Sequence, residues 1–131
     1  YQSQKTIHNA VAAMKPGGSA IVMAECPLFD DPPELIEWFK HPTYLEMEKA
    51  VRANFLMSGF VAMRQWEAGE KGTVILLTHP DNTEKARTAR MRASASIDEA
   101  LSLAYQECGA SNPKVILMPN AAHTWPILST G

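Results

Sequence analysis

Tyr1, Gln2 and Lys5 open the chain in the pattern Tyr-Gln-x-x-Lys, and together they carry the groups needed to grip a carboxylate. A lysine ammonium supplies charge, while a phenol hydroxyl and a carboxamide supply oriented hydrogen bonds. If this stretch is helical, its first turn adds unpaired backbone N–H groups and the positive end of the helix dipole, which also favour an anion. At about 100° per residue, Tyr1 and Lys5 are four positions apart and Gln2 and Lys5 three, so all three share one face roughly 100° wide. Ile7, Ala10, Val11 and Met14 fall on the opposite side, which is the expected core face. The trio therefore points away from the domain's own core. A frayed terminus carrying three polar residues is the alternative that the residues alone leave open.

A second constellation follows the short apolar runs. Glu25 with Cys26, His79, and Asn120 with His123 each come just after such a run. In a parallel sheet, ligands gather beyond the carboxyl ends of the strands, where these residues could form a self-contained metal or acid/base site. No His-x-x-x-His or Cys-x-x-Cys spacing supports a metal, and loop or capping roles are the simpler reading. His8 and His41 have no partner at ligand spacing. Trp38, Phe39 and the scattered methionines read as core or domain-interface residues. The basic run Lys85, Arg87, Arg90 and Arg92 reads as a solvated helix face, with an anion or partner patch as the alternative.

The elements that must position these residues are legible as alternating runs. "SAIVMAEC" (19–26), "GTVILLT" (72–78) and "PKVILMP" (113–119) place apolar residues consecutively, as strands covered on both faces require. Helices are expected between them. The opening helix stops at "KPGG"; residues 34–40 and 43–50 follow a Pro32-Pro33 entry, and another helix covers about 54–67. Asp81 or Asn82 is expected to cap a helix running to about residue 92, and Ser96 with Glu99 forms a capping box for a helix ending at Gly109. The expected fold is an α/β layered domain with a small parallel sheet of about three core strands and helices on both faces.

With 131 residues, the chain is expected to form a single domain, residues 1–131, large enough for a core. Its net charge of −2 lacks the basic surplus of a nucleic-acid footprint. No apolar run is long enough for a membrane span and no signal peptide is visible, while Cys26 and Cys108 form no paired motif, so a reducing, cytoplasmic setting is expected. The start at Tyr1, without an initiator Met, leads us to expect part of a longer chain.

"YQSQK", "KPGGSAIVMAEC", "SIDEAL" and "VILMPNAAHTWPIL" together resemble the C-terminal domain of the nickel-dependent lactate racemase family over essentially the whole chain. The resemblance implies a two-domain parent protein that racemises or epimerises a 2-hydroxy acid, carrying the α-hydrogen away and returning it to either face of the keto acid. The cofactor would be a nickel-pincer nucleotide, held mainly by an N-terminal domain that also supplies the nickel-ligating and acid/base histidines. No cofactor or metal would then reside in residues 1–131, which alone are expected to be inactive. By match to the motif, Tyr1 and Lys5 would hold the substrate carboxylate and Gln2 would make a polar contact near the reacting centre. Lys5 and Gln2 are thus the catalytic candidates, and Tyr1, Gln2, Lys5 and Phe60 the substrate-binding ones. Phe60 stands where the family places a Trp or His at the substrate wall, although a short gap would bring Trp66 there. A Phe keeps the apolar wall and loses a donor, which points away from lactate itself. The implied partners are the N-terminal domain and a small 2-hydroxy acid, with no nucleic acid and no membrane. The reading from a different class is a non-enzymatic α/β binding or interaction module for a small anion.

Overall fold

A computed structural model describes residues 3–29 and 31–127. Alternating apolar runs and amphipathic segments fold as α1 (Gln4–Ala13), β1 (Ser19–Met23), α2 (Glu34–Glu37), α3 (Tyr44–Ala53), α4 (Met57–Lys71), β2 (Thr73–Leu77), α5 (Thr83–Thr88), β3 (Arg92–Ser94) and α6 (Ile97–Cys108). Short 3₁₀ turns lie at Trp38–Lys40, Pro80–Asn82 and Ala121–His123. The three strands are parallel in the order β1-β2-β3, with Ser19 opposite Thr73 and Ile75 opposite Arg92.

Strand alternation sends side chains to two covered faces. Ala20, Val22, Val74 and Leu76 share one core with Ile7 and Val11 of α1 and Ala62 and Trp66 of α4. Ile75, of opposite parity, is fully buried on the side of α6, as is Ala100. Ser19 Oγ ties β1 to that helix by donating to the Ala104 carbonyl at 3.3 Å. The expected core face of α1 is therefore observed: Ile7 and Val11 are buried, and Ala10 and Met14 pack against them.

Local chemistry sets the element ends. Gly72 lets β2 begin beside β1, because a Cβ there would collide with the Gly18 carbonyl oxygen, which accepts from Thr73 N–H at 3.0 Å. Ser96 Oγ accepts from Glu99 N–H at 3.2 Å, and Gly109 ends α6 at φ 61° in the left-handed region. The box is not reciprocal. The Glu99 carboxylate accepts from Ser94 Oγ at 2.7 Å instead of from Ser96 N–H, which itself donates to Ser94 Oγ at 3.2 Å.

Two expectations are corrected. Residues 113–119 form no strand; Val115, Ile116 and Leu117 are 70%, 66% and 86% exposed in an irregular segment without a strand partner among the described residues. Apolar composition makes a strand only where a neighbouring strand and a covering layer exist. The third strand is instead Arg92–Ser94, which begins where a helix was expected to end. That helix stops at Thr88; Arg90 takes φ 60°, and Ala89 and Met91 turn inward to bury their side chains.

Candidate functional site

Lys5 projects from the exposed side of α1 while Ile7 and Val11 anchor its other side in the core. Tyr1 and Gln2 lie outside the described residues. What places Lys5 is the packing of α1 on α4. Lys71 Nζ, at the end of α4, donates to the Val11 carbonyl at 2.6 Å, at the end of α1. One turn earlier, His8 feels the charges of Arg64 and Glu67. The two helices therefore run side by side in the same direction, and a further turn back sets Phe60 level with the first turn of α1.

That end of α1 sits over the carboxyl end of the sheet. Ser3 Oγ and Cys26 Sγ lie 3.6 Å apart, and Cys26 closes the loop leaving β1. Open parallel sheets bind ligands at this end. Phe60 is 45% exposed there, and Phe55, Leu56 and Met57, at the entry to α4, are exposed beside it in sequence. The surface around Lys5 is thus a cation with an apolar flank.

Trp66, the other candidate for the substrate wall, is placed differently. It is 4% exposed, stacks beneath the Arg90 guanidinium at 3.3 Å, meets Tyr44 edge-on and donates from Nε1 to Glu70 at 3.1 Å. Its indole is consumed by packing on the inner side of α4. Phe60 is the aromatic of the pair that faces outward.

Behind this surface lies a polar network. Tyr44 donates to Glu67 at 2.7 Å, and that hydrogen bond to a carboxylate is the main reason the phenol pKa is pushed up to about 12. Arg64 pairs with the same Glu67. Burial, reinforced by Arg64 and opposed by Glu67, lowers the pKa of His8. His8 Nε2, Gln4 Oε1 and both side-chain polar atoms of the fully buried Gln65 are buried without a hydrogen-bond partner among the described residues.

The alternative constellation does not assemble. Glu25 and His79 border a shallow depression with Met23, Thr78, Ala95 and Ile97 at the strand ends, but Asn120 and His123 are not among its lining. They belong to the 3₁₀ turn packed on α1, where Asn9 Nδ2 donates to the Ala121 carbonyl at 2.6 Å. His79 Nδ1 accepts from Asp81 N–H at 3.3 Å. Among the described residues no three His, Cys, Asp or Glu side chains are grouped to hold a metal ion. The basic run is engaged too: Arg87 pairs with Glu84, Arg92 with Glu107, and Arg90 covers Trp66.

One organising residue went unrecognised in the sequence. Asn82 donates from Nδ2 to the carbonyls of Glu25 at 3.2 Å and Cys26 at 3.1 Å and to Thr78 Oγ1 at 3.0 Å. Thr78 Oγ1 in turn donates to the Glu25 carbonyl at 2.8 Å. These bonds hold Cys26 at φ 52°, a region that side chains with a Cβ seldom occupy. Its signal was an Asn near a helix start, which reads as a cap; the side chain makes no cap bond and reaches across the sheet end instead.

Family models, curated proteins and solved structures were compared with the chain, and none matches. Among the described residues, no helix is long and apolar enough to cross a membrane.

Proposed function

We propose that this domain supplies the substrate-binding side of an interdomain active site in a lactate racemase-like isomerase acting on a 2-hydroxy acid. The observation that carries the reading is the position of Lys5. It is an exposed cation at the start of α1, over the carboxyl end of a parallel sheet, level with the outward-facing Phe60. The sequence resemblance supports the same assignment. Lys5, with Tyr1, would hold the substrate carboxylate, Gln2 would contact the polar group at the reacting carbon, and Phe60 would wall the substrate's apolar side.

A carboxylate is oriented best by a fixed cation and directed donors in a site closed to water. Lys5 is exposed in this domain, so closure requires a second surface. The exposed Phe55, Leu56, Met57 and Phe60 give such a surface an apolar flank to dock on. The preceding N-terminal domain of a parent protein is the proposed partner. By the sequence resemblance, the nickel-pincer nucleotide would belong to that domain. When bound, that cofactor supplies the acceptor and donor for the α-hydrogen; the residues of this domain bind and orient the substrate. Reduced Cys26 and Cys108 suit a cytoplasmic setting.

The test is stereoisomer interconversion by the cofactor-loaded, two-domain protein, offered single enantiomers of a panel of 2-hydroxy acids. Formation of the opposite enantiomer supports the proposal. If no 2-hydroxy acid is interconverted while a small carboxylate still binds in a Lys5-dependent manner, the non-enzymatic anion-binding module is the better description.

A further inference from the structure

The sheet is left open along β1, and three observations meet at that edge. The strand order is β1-β2-β3, so the outer side of β1 has no strand partner among the described residues. On α6, Ile97, Leu101 and Tyr105 recur every four residues and are 44%, 41% and 50% exposed. Ala104 and Ala100 mark the sheet-facing row of that helix, and Glu99 marks the flank toward β3 through Ser94. On the helical wheel, Ile97, Leu101 and Tyr105 therefore form the opposite flank, overhanging the edge of β1. Met23, on the α6 face of β1, continues this apolar strip at 69% exposure.

The same chain displays an unpaired apolar segment of matching length. Lys114–Met118 has five residues, as β1 does, and is bounded by Pro113 and Pro119, neither of which can donate a ladder hydrogen bond. Lys114, Val115, Ile116 and Leu117 are exposed and Met118 is half-buried, and the backbone of the segment makes no hydrogen bond among the described residues. No strand among the described residues of its own chain pairs with it: the segment leaves α6 at Gly109 and returns to α1, where Asn9 holds Ala121.

We propose that Lys114–Met118 of one copy adds as a fourth strand to the open edge of β1 in a second copy, beneath the Ile97–Leu101–Tyr105 flank. Main-chain pairing would satisfy the open edge, and alternate side chains would fill the apolar strip. Reciprocal exchange through the Gly109–Pro113 connection gives a closed two-fold dimer with both edges covered. A second copy fits because donor segment and acceptor edge occur on one chain in equal number and length. This surface is separate from the Lys5 face, so the inference stands or falls independently of the proposed function.

Sedimentation equilibrium over a range of concentrations, paired with hydrogen exchange on residues 114–118, tests it. The expected result is a monomer–dimer equilibrium in which exchange protection of 114–118 rises with concentration. Ile116→Pro, which removes a donor inside the strand, and Leu101→Lys, on the α6 flank, should each weaken the dimer by at least about tenfold. The melting temperature of dilute protein should be unchanged by Ile116→Pro. A monomer at every concentration would overturn the proposal, as would a dimer indifferent to both variants. Protection of 114–118 that does not depend on concentration would also overturn it, by showing that the segment docks on its own β1.

Discussion

Val74-Ile75-Leu76-Leu77 and Val115-Ile116-Leu117-Met118 are nearly the same tetrapeptide, yet they have opposite fates. The first is the central strand, with Val74, Ile75 and Leu76 at 1%, 0% and 1% exposure. The second lies on the surface with Leu117 at 86% exposure. Intrinsic preference cannot explain the difference. Strand β2 has β1 and β3 on its two sides and helices above and below, whereas 115–118 follows Pro113 and meets no ladder among the described residues. A β-prone sequence acquires its burial energy from neighbours; without them it is only an adhesive segment.

The largest effect expected of that contrast is in the two leucines. Leu76→Ala should destabilise the domain by about 2–5 kcal/mol, through lost transfer energy and an unfilled cavity. Leu117→Ala, measured by denaturant unfolding of the dilute protein, should stay within about 0.5 kcal/mol. Similar losses would break the comparison and place 115–118 in a core.

Asn82→Ala sharpens the contrast at the sheet end. It removes the donor for the Glu25 and Cys26 carbonyls and leaves Cys26 at positive φ without its clamp. A loss of about 1–3 kcal/mol is expected. Gln65→Met probes the same core from the opposite direction. Its buried amide has no partner among the described residues, so replacing it with an apolar side chain of similar length should raise stability by about 1 kcal/mol.

The smallest effect is on pH dependence. His8 has a folded pKa below the ordinary 6.5, so between the two values the unfolded chain binds more protons than the folded one. The contribution of His8 is therefore complete above 6.5 and is lost as pH falls through the depressed folded value. Melting temperature should decline on acidification below 6.5, and this component should vanish in His8→Gln. An unchanged acid slope in the variant would assign it to other groups.

The legible parts of the molecule were those with local causes. The core side of α1, the stop at Pro16-Gly17-Gly18, the Ser96 cap and the Gly109 terminus all depend on residues within a turn or two of one another. So did the class of fold, because β1 and β2 are consecutive apolar runs. Strand β3 was hidden: Arg92-Ala93-Ser94 is three residues long and mostly polar, and it becomes a strand only because β2 offers an edge. The clamp by Asn82 and the stacking of Arg90 on Trp66 are pairings between residues distant in sequence, with no periodic signature. For the candidate site, spacing located Lys5 on an outward face, while the exposure of Phe60 and the burial of Trp66 needed the packing of α4. Tyr1 and Gln2 lie outside the described residues.

The central functional claim, that Lys5 holds a substrate carboxylate, is tested most directly by comparing two lysines of one segment. In the proposed two-domain parent protein, loaded with its proposed cofactor, kcat/KM for whichever 2-hydroxy acid it interconverts should be measured for Lys5→Ala and Lys15→Ala, alongside melting temperature. Both lysines are exposed, so neither change opens a cavity and both variants should stay folded. Lys15 lies just beyond the end of α1, where a cation contributes about 0.3–1 kcal/mol of stability at most. Loss of Lys5 would leave a buried carboxylate unpaired, at about 3–5 kcal/mol, or a loss on the order of 10²–10³-fold or more in kcat/KM. The account predicts that loss for Lys5→Ala and near-normal turnover for Lys15→Ala. Equal activity in the two folded, cofactor-loaded variants would contradict it.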